Sequence, residues 1–318
     1  MNFTTAVPIT KSKIQIDYQS KIFSFGSCFV ENMASKFDYY KFQNSCNPFG
    51  ILFHPIAIEN IISRAINLKL FDEKDLFFNN ERWHNFDIHS DLSNPDKEAF
   101  LNEINNLLVA TNKNLQEATH VIITFGTSWV YRNKESNKLV ANCHKVPQNN
   151  FNKELLSVYD IEIAIQNKIN LIEKINPNCK IIFTISPVRH LKDGFVENQR
   201  SKANLIAGLH SVLSSQNPFI DYFPSYEIMM DELRDYRFYA EDLLHPNQLA
   251  IDYIWERFVE SFVSNEAIST MNEVESIQRD LSHRPFNSSS ESYRKFKIKL
   301  KSKIEIVKSK FPFMNFKL

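Results

Sequence analysis

The chain has 318 residues, 43% hydrophobic and 23% charged, and its 37 basic side chains cancel its 37 acidic ones. That suits a soluble globular protein of one large domain, or one domain with an appendage, and excludes a strongly basic chain; no nucleic-acid partner is expected. No run approaches the ~18 consecutive apolar residues of a membrane span, and Met1–Ser20 shows no secretory pattern. The four cysteines (Cys28, Cys46, Cys143 and Cys179) are widely spaced with no C-x-x-C pair, so neither a disulfide scaffold nor a cysteine zinc site is expected, and a reducing cytoplasmic setting is.

In chain order, Lys21 to Phe25 reads as a first strand that ends at Gly26, and a helical pattern begins near Phe29. A short strand is expected over Tyr40 to Gln43, a turn over Asn47-Pro48-Phe49-Gly50, and a helix after Pro55. Leu76 to Ile88 reads as a hairpin and Ala99 to Ala110 as a helix. His120 to Phe125 and Lys180 to Ile185 are continuous apolar runs of strand length, the mark of buried parallel strands. Helices are expected over Leu155 to Ile175, Asn198 to Leu213 and Leu249 to Val263, with a short strand over Phe219 to Phe223. This alternation argues for a three-layer α/β/α fold around a parallel sheet. Ligands of such sheets sit beyond the carboxyl ends of the strands.

After Ser264 the pattern changes. Ser282 to Phe286 and Ser288 to Ser290 read as a linker, followed by a basic amphipathic helix over Ser292 to Lys310 with Phe296, Leu300, Ile304 and Val307 on one stripe. The favoured reading packs the stripe on the main domain and leaves the lysines in water; a membrane-surface or nucleic-acid role is the alternative. The expected division is residues 1–264 and 265–318.

Two segments carry candidate chemistry. Gly26-Ser27-Cys28-Phe29 places a thiol where a strand turns into a helix. Backbone N–H groups at a helix start favour an anion there, so an acidic, nucleophilic Cys28 is expected. The competing reading is a buried structural cysteine behind a helix-capping Ser27. In Asp242-Leu243-Leu244-His245-Pro246 the carboxylate and imidazole are three apart on one turn, where Asp242 can fix the tautomer of His245. Pro246 is expected to start the next helix at once. Its plain alternative is a helix start with a packed surface histidine.

Taken together, a nucleophile after the first strand and Asp-x-x-His before the last core helix resemble the SGNH (GDSL-like) hydrolases. Cys28 falls where their serine stands and Ser27 where their aspartate stands. More closely, the chain resembles the GSCFA family, its motif reading Gly26-Ser27-Cys28-Phe29-Val30 with Val in the last place. Further matching segments are Asn47-Pro48-Phe49-Gly50, Phe125 to Tyr131, Asn142 to Pro147, Ser186 to His190, Ser201-Lys202-Ala203 and His245-Pro246-Asn247. The resemblance implies a flavodoxin-like SGNH fold and a hydrolase with Cys28 as nucleophile, His245 as base and Asp242 as orienter, and Ser27 as the alternative nucleophile. Cys28 and His245 are then expected within about 4 Å.

SGNH enzymes use a glycine and an asparagine as oxyanion donors. Gly50 matches the glycine, but Gly126-Thr127-Ser128 stands where Gly-x-Asn is expected. The Ser128 hydroxyl or Asn142 is the expected replacement. Arg189, His190 and His144 are candidate substrate contacts. His84, His89 and Asp87 are read as packing or rim residues rather than metal ligands. No metal or cofactor is expected. The substrate class is an acylated small molecule, carbohydrate-like by analogy. An acyltransferase on the same fold and a non-catalytic binding module are the alternatives.

Overall fold

The computed structural model describes residues 5–213, 217–287 and 289–317. The chain runs β1 (Lys21–Gly26), α1 (Cys28–Tyr39), β2 (Gln43–Cys46), α2 (Pro55–Ile66), β3 (Phe77–Asn79), β4 (Arg82–His84), α3 (Lys97–Glu117), β5 (His120–Phe125), β6 (Trp129–Asn133), β7 (Leu139–Val140), β8 (Phe151–Leu155), α4 (Val158–Ile175), β9 (Lys180–Ile185), α5 (Phe195–Leu213), β10 (Ile220–Phe223), α6 (Ser225–Glu227), α7 (Gln248–Phe262), α8 (Asn265–Ser282) and α9 (Glu291–Lys310).

Five strands form one parallel sheet in the order β2-β1-β5-β9-β10. Side chains alternate across it. Phe23, Val121, Ile123, Phe125, Ile181 and Phe183 enter a core covered by α2, α3, α4 and α5. Ile22, Ile122 and Ile182 enter the opposite core, under α1, α7 and α8. With both faces covered, β5 and β9 are buried along their whole length, so they read as unbroken apolar runs. The architecture is therefore three-layer α/β/α, with strand order reversing between β1 and β5. Crevices form where strand order reverses, beyond the strands' carboxyl ends.

Three local expectations shift. The second strand is Gln43–Cys46, not Tyr40 to Gln43. Phe42 is needed in the core, where its ring stacks on Tyr18 at 4.3 Å. The hairpin is confined to β3 and β4, turning through Asn80 and Glu81, both at positive φ. Between the expected strand and helix at residues 125–158, the chain adds a small antiparallel sheet, β7-β6-β8. Helix α4 then starts at Val158 behind a capping box of Ser157 and Asp160.

The C-terminal segment differs most. Residues 265–282, where the sequence shows only a change of pattern before the expected linker, form the full helix α8, capped by Ser264. Of the expected linker, Ser288 lies outside the described residues. Helix α9 turns the expected stripe inward: Leu300, Ile304 and Val307 are buried and Phe296 packs beside them. Lys303 and Lys310 reach back to Asp280 and Glu273 of α8. Among the described residues no helix is long and apolar enough to cross a membrane.

Because Leu300 is buried in the same core as α1 and α7, Leu300→Ala should lower unfolding stability by about 2–5 kcal/mol. Urea unfolding followed by circular dichroism measures this. An unchanged midpoint would show that α9 is not part of the cooperative fold.

Candidate active site

The carboxyl end of β1 is shaped by Gly26, whose φ is +138°. A Cβ there would lie 2.1 Å from the Thr124 carbonyl oxygen of neighbouring β5, so only glycine fits. Its N–H is held by Asn47 Oδ1 at 2.8 Å, and the Ser27 N–H donates to Thr124 O at 3.1 Å. The chain then enters α1 at Cys28. Ser27 is the N-cap by position, yet its side chain caps nothing. It is fully buried and its hydroxyl has no partner among the described residues.

The ends of β5 and β9 are tied by one side chain of α5. Lys202, 1% exposed, donates from Nζ to Gly126 O at 2.8 Å and Ser186 O at 2.6 Å. Its neighbour Ser201 accepts from Ser128 N at 2.7 Å and bonds the Thr127 hydroxyl at 3.0 Å. The loop after β9 continues to His190, whose N–H is held by Asn198 Oδ1 at 2.9 Å. The His190 ring stands edge-on to Phe53, and its Nε2 is buried without a partner among the described residues.

The third loop carries Asp242 and His245. Asp242 Oδ2 accepts from His245 Nδ1 at 2.6 Å, and Oδ1 accepts from the N–H groups of Leu244 (2.9 Å) and His245 (3.0 Å). These donors draw the Asp242 carboxyl down to about 2, so it is ionised at any working pH. Leu243 between them adopts φ +59°, uncommon for a branched side chain. Pro246 does not begin the helix: Asn247 is the N-cap, accepting from Ala250 N, and α7 starts at Gln248. Asn247 also donates to Arg237 O at 2.6 Å, which pins the loop's far side. The Arg189 N–H donates to Leu244 O at 3.2 Å, joining the His190 loop to the His245 loop.

The charges of these groups are coupled. Burial and Glu31 push the Cys28 thiol up, while Lys202 and the backbone N–H groups of Cys28 and Phe29 pull it down. The net is upward, so the expected acidic thiol is not found at rest: desolvation outweighs the helix start. Burial holds Lys202 down to about 7, against an upward pull from Cys28. His190 is pushed to about 3 by burial and by the Lys202 and His245 charges, so it is a neutral imidazole.

A family model described as the GSCFA family matches residues 21–258. The chain belongs to the GSCFA family. A second model, described as the GSCFA domain protein C-terminal domain, matches residues 274–318. No curated protein matches the sequence. Among solved structures, the chain is similar to an acetyl xylan esterase (Est2A) from the rumen bacterium Butyrivibrio proteoclasticus, with 11% identity and a TM-score of 0.39. The match covers 80% of this chain and 64% of that one.

In this GSCFA chain the candidate residues from the sequence fall into two groups. Cys28, Ser27, Gly126, Arg189, His190, Asp242 and His245 stand at the strand ends or on loops joined to them. No hydrogen bond joins Cys28 to His245 among the described residues; the Lys202 charge acts on both Cys28 and His190, and the His245 charge acts on His190. The expected oxyanion donors are corrected. The Ser128 hydroxyl donates to Ser201 O at 3.0 Å, so it latches α5. The Gly50 N–H closes the Asn47–Gly50 turn at 2.8 Å, and the Gly126 N–H donates to Phe53 O at 2.7 Å.

Asn142 and His144 belong elsewhere. Asn142 Oδ1 accepts from His144 N in a local turn, and His144 Nε2 bonds Asn85 O at 2.7 Å beside the His84 ring. Both His84 ring nitrogens are also engaged, with Ser93 and Asn79. Among the described residues no group of His, Cys, Asp or Glu is arranged to hold a metal. Sequence reasoning missed Lys202 as a site residue. Its signal was a lysine on the buried face of an amphipathic helix, next to Ser201.

Burial pushes Cys46 to about 12, Cys143 to about 11 against the pull of Lys192, and Cys179 to about 12, while Cys28 has both Lys202 and the N–H groups of the helix start opposing the rise. Limited iodoacetamide treatment should therefore label Cys28 first, at a rate that keeps rising with pH above the ordinary thiol range. Peptide mapping reads the order; faster labelling of any other cysteine contradicts the site.

Proposed function

We propose that the protein is an SGNH-type hydrolase that transfers an acyl group from an ester to water through Cys28. The observation that carries this reading is the Asp242–His245 pair. A carboxylate gripped by three donors holds Nδ1–H at 2.6 Å and leaves Nε2 as the basic nitrogen. The raised Cys28 thiol fits the same scheme, since a thiol that is protonated at rest needs a base. Ser27 is the weaker nucleophile candidate, being fully buried with no base in hydrogen-bonding reach among the described residues.

On substrate binding, His245 Nε2 takes the thiol proton as the sulfur attacks the acyl carbon. The imidazolium then returns that proton to the departing alkoxide, leaving a thioester on Cys28. Water attacks the thioester, giving its proton to His245, and the carboxylic acid leaves as the thiol is restored. Hydrogen bonds between nucleophile and base are often unformed before substrate arrives in such sites.

Arg189 has no carboxylate partner among the described residues and lies 4.3 Å from the Tyr239 ring centroid. In this reading it meets a polar or anionic part of an acylated, carbohydrate-like substrate. Residues 1–264 carry the chemistry and residues 265–318 brace it. The free cysteines suit a reducing compartment.

A panel of activated esters of increasing acyl length tests the reading. Wild type should turn over at least one; Cys28→Ala and His245→Ala should each lose roughly 10³-fold or more. Asp242→Asn should fall steeply too, since it favours the wrong tautomer. Full activity in Cys28→Ala would end the proposal.

A further inference from the structure

Between the β3–β4 hairpin and the β7-β6-β8 sheet lies a cavity of about 480 Å³ that the proposed acyl transfer does not use. Its volume is that of a small-molecule site. The small sheet follows directly on the carboxyl end of β5, so the cavity belongs to the same end of the main sheet as Cys28. Its walls are tied together: Asn79 Nδ2 donates to His144 O at 3.0 Å, and the Ala141 N–H donates to Phe86 O at 2.8 Å.

The lining combines aromatic rings with idle amides. Phe77 and Phe86 stack with 4.0 Å between centroids, and Phe78, also on the wall, is 58% exposed. Asn133 is 7% exposed, and its Oδ1 holds a turn, accepting from the N–H groups of Glu135 (3.0 Å) and Ser136 (2.9 Å) and from the Ser136 hydroxyl (3.2 Å). Those donors fix which end of the amide is oxygen. The Nδ2 end is left over and meets no acceptor among the described residues. Asn79 is the complement: its Nδ2 is engaged, and its Oδ1 accepts nothing among the described residues. Lys134 and Glu135 add one charge of each sign.

These groups select a ligand class. A phosphate or carboxylate calls for a surplus of positive charge, and here one lysine is offset by one glutamate. A purely apolar molecule would cover the amides and leave them without partners. A sugar ring meets both demands, since its C–H face packs on an aromatic ring and each hydroxyl both donates and accepts. We propose that this cavity binds a neutral sugar ring, with the phenylalanines against its apolar face, Asn133 Nδ2 donating to one hydroxyl and Asn79 Oδ1 accepting from another. Both amides are held before the ligand arrives, so binding costs little ordering. The sugar site stands on its own geometry; as an anchor for the carbohydrate part of a substrate it rests on the reading of Cys28 as the nucleophile.

The test titrates unesterified hexaoses of β-1,4-linked glucose, xylose, mannose and N-acetylglucosamine into the full chain, read by calorimetry and saturation-transfer NMR. At least one should bind with a Kd below about 1 mM and show transfer to its ring protons. Phe78→Ala should weaken that binding about tenfold, and the exposed ring makes it a safe change for the fold. Asn133→Asp keeps an oxygen for the turn and removes both donors, so it too should weaken binding about tenfold; should it unfold the chain, Phe78→Ala decides. Phe286→Ala, a fully exposed ring before α9, is the control and should bind as wild type does. Failure of every hexaose to bind at about 10 mM, unaltered binding in Phe78→Ala, or an equal loss in Phe286→Ala overturns the sugar site and leaves the Cys28 reading standing. Sugar binding with the expected losses, in a protein whose Cys28 is never acylated by an activated ester, keeps the site and overturns its link to acyl transfer.

Discussion

A buried ammonium group organises the centre of this protein. Lys202 sits at the inner face of α5 with its charge removed from water, and its two short bonds go to the last carbonyls of β5 and the turn after β9. Burial disfavours the ammonium, and the two carbonyls offset that in part; losing either would leave a buried donor unsatisfied. That requirement sets the spacing of the strand ends. It also sets their electrostatics, because the same charge opposes protonation of His190 and favours the thiolate of Cys28. Desolvation holds Lys202 to about 7, so a thiolate forming nearby would draw a proton onto it.

Around that centre the loops are cross-tied rather than independent. Asn47 holds the Gly26 N–H, Phe53 O accepts from Gly126 and Thr127, Ser201 grips Ser128, and the Arg189 N–H donates to Leu244 O. Each tie joins a strand end or the loop after it to another loop or to α5. The resulting edge carries a half-buried thiol and a half-exposed Asp242–His245 pair, and the His245 charge acts on His190. In the proposed reaction, these ties would hold the strand ends in place beneath the more exposed Asp242–His245 pair.

The additions to the sheet serve the frame. The β7-β6-β8 sheet and the β3–β4 hairpin enclose the His84 and His144 rings, 4.7 Å apart and bonded to backbone carbonyls. The C-terminal helices extend the core beneath α1 and α7, and their lysines pair in part with acids of α8. The basic stripe therefore sits on the outside of a helix whose inner stripe is structural.

By itself the sequence determined the layers. Continuous apolar runs at His120 to Phe125 and Lys180 to Ile185, alternating with helical spacing, admit little besides a covered parallel sheet, because local periodicity records which faces are buried. It also determined the Asp242–His245 pair, since three residues on one turn bring the groups together without help from the rest of the chain. Tertiary structure decided what depends on distant partners. Helix α8 escaped notice because its buried positions, Ala267, Met271, Val274 and Ile277, are sparse among polar residues and gain meaning only against α1 and α7. Ser128 and Gly50 read as oxyanion donors until Ser201 and Asn47 took up their groups, and Asn142 sits in a local turn with His144. The acidity of Cys28 was misjudged for the same reason: a helix start is local and visible, but the burial and the Glu31 charge that outweigh it are set by packing.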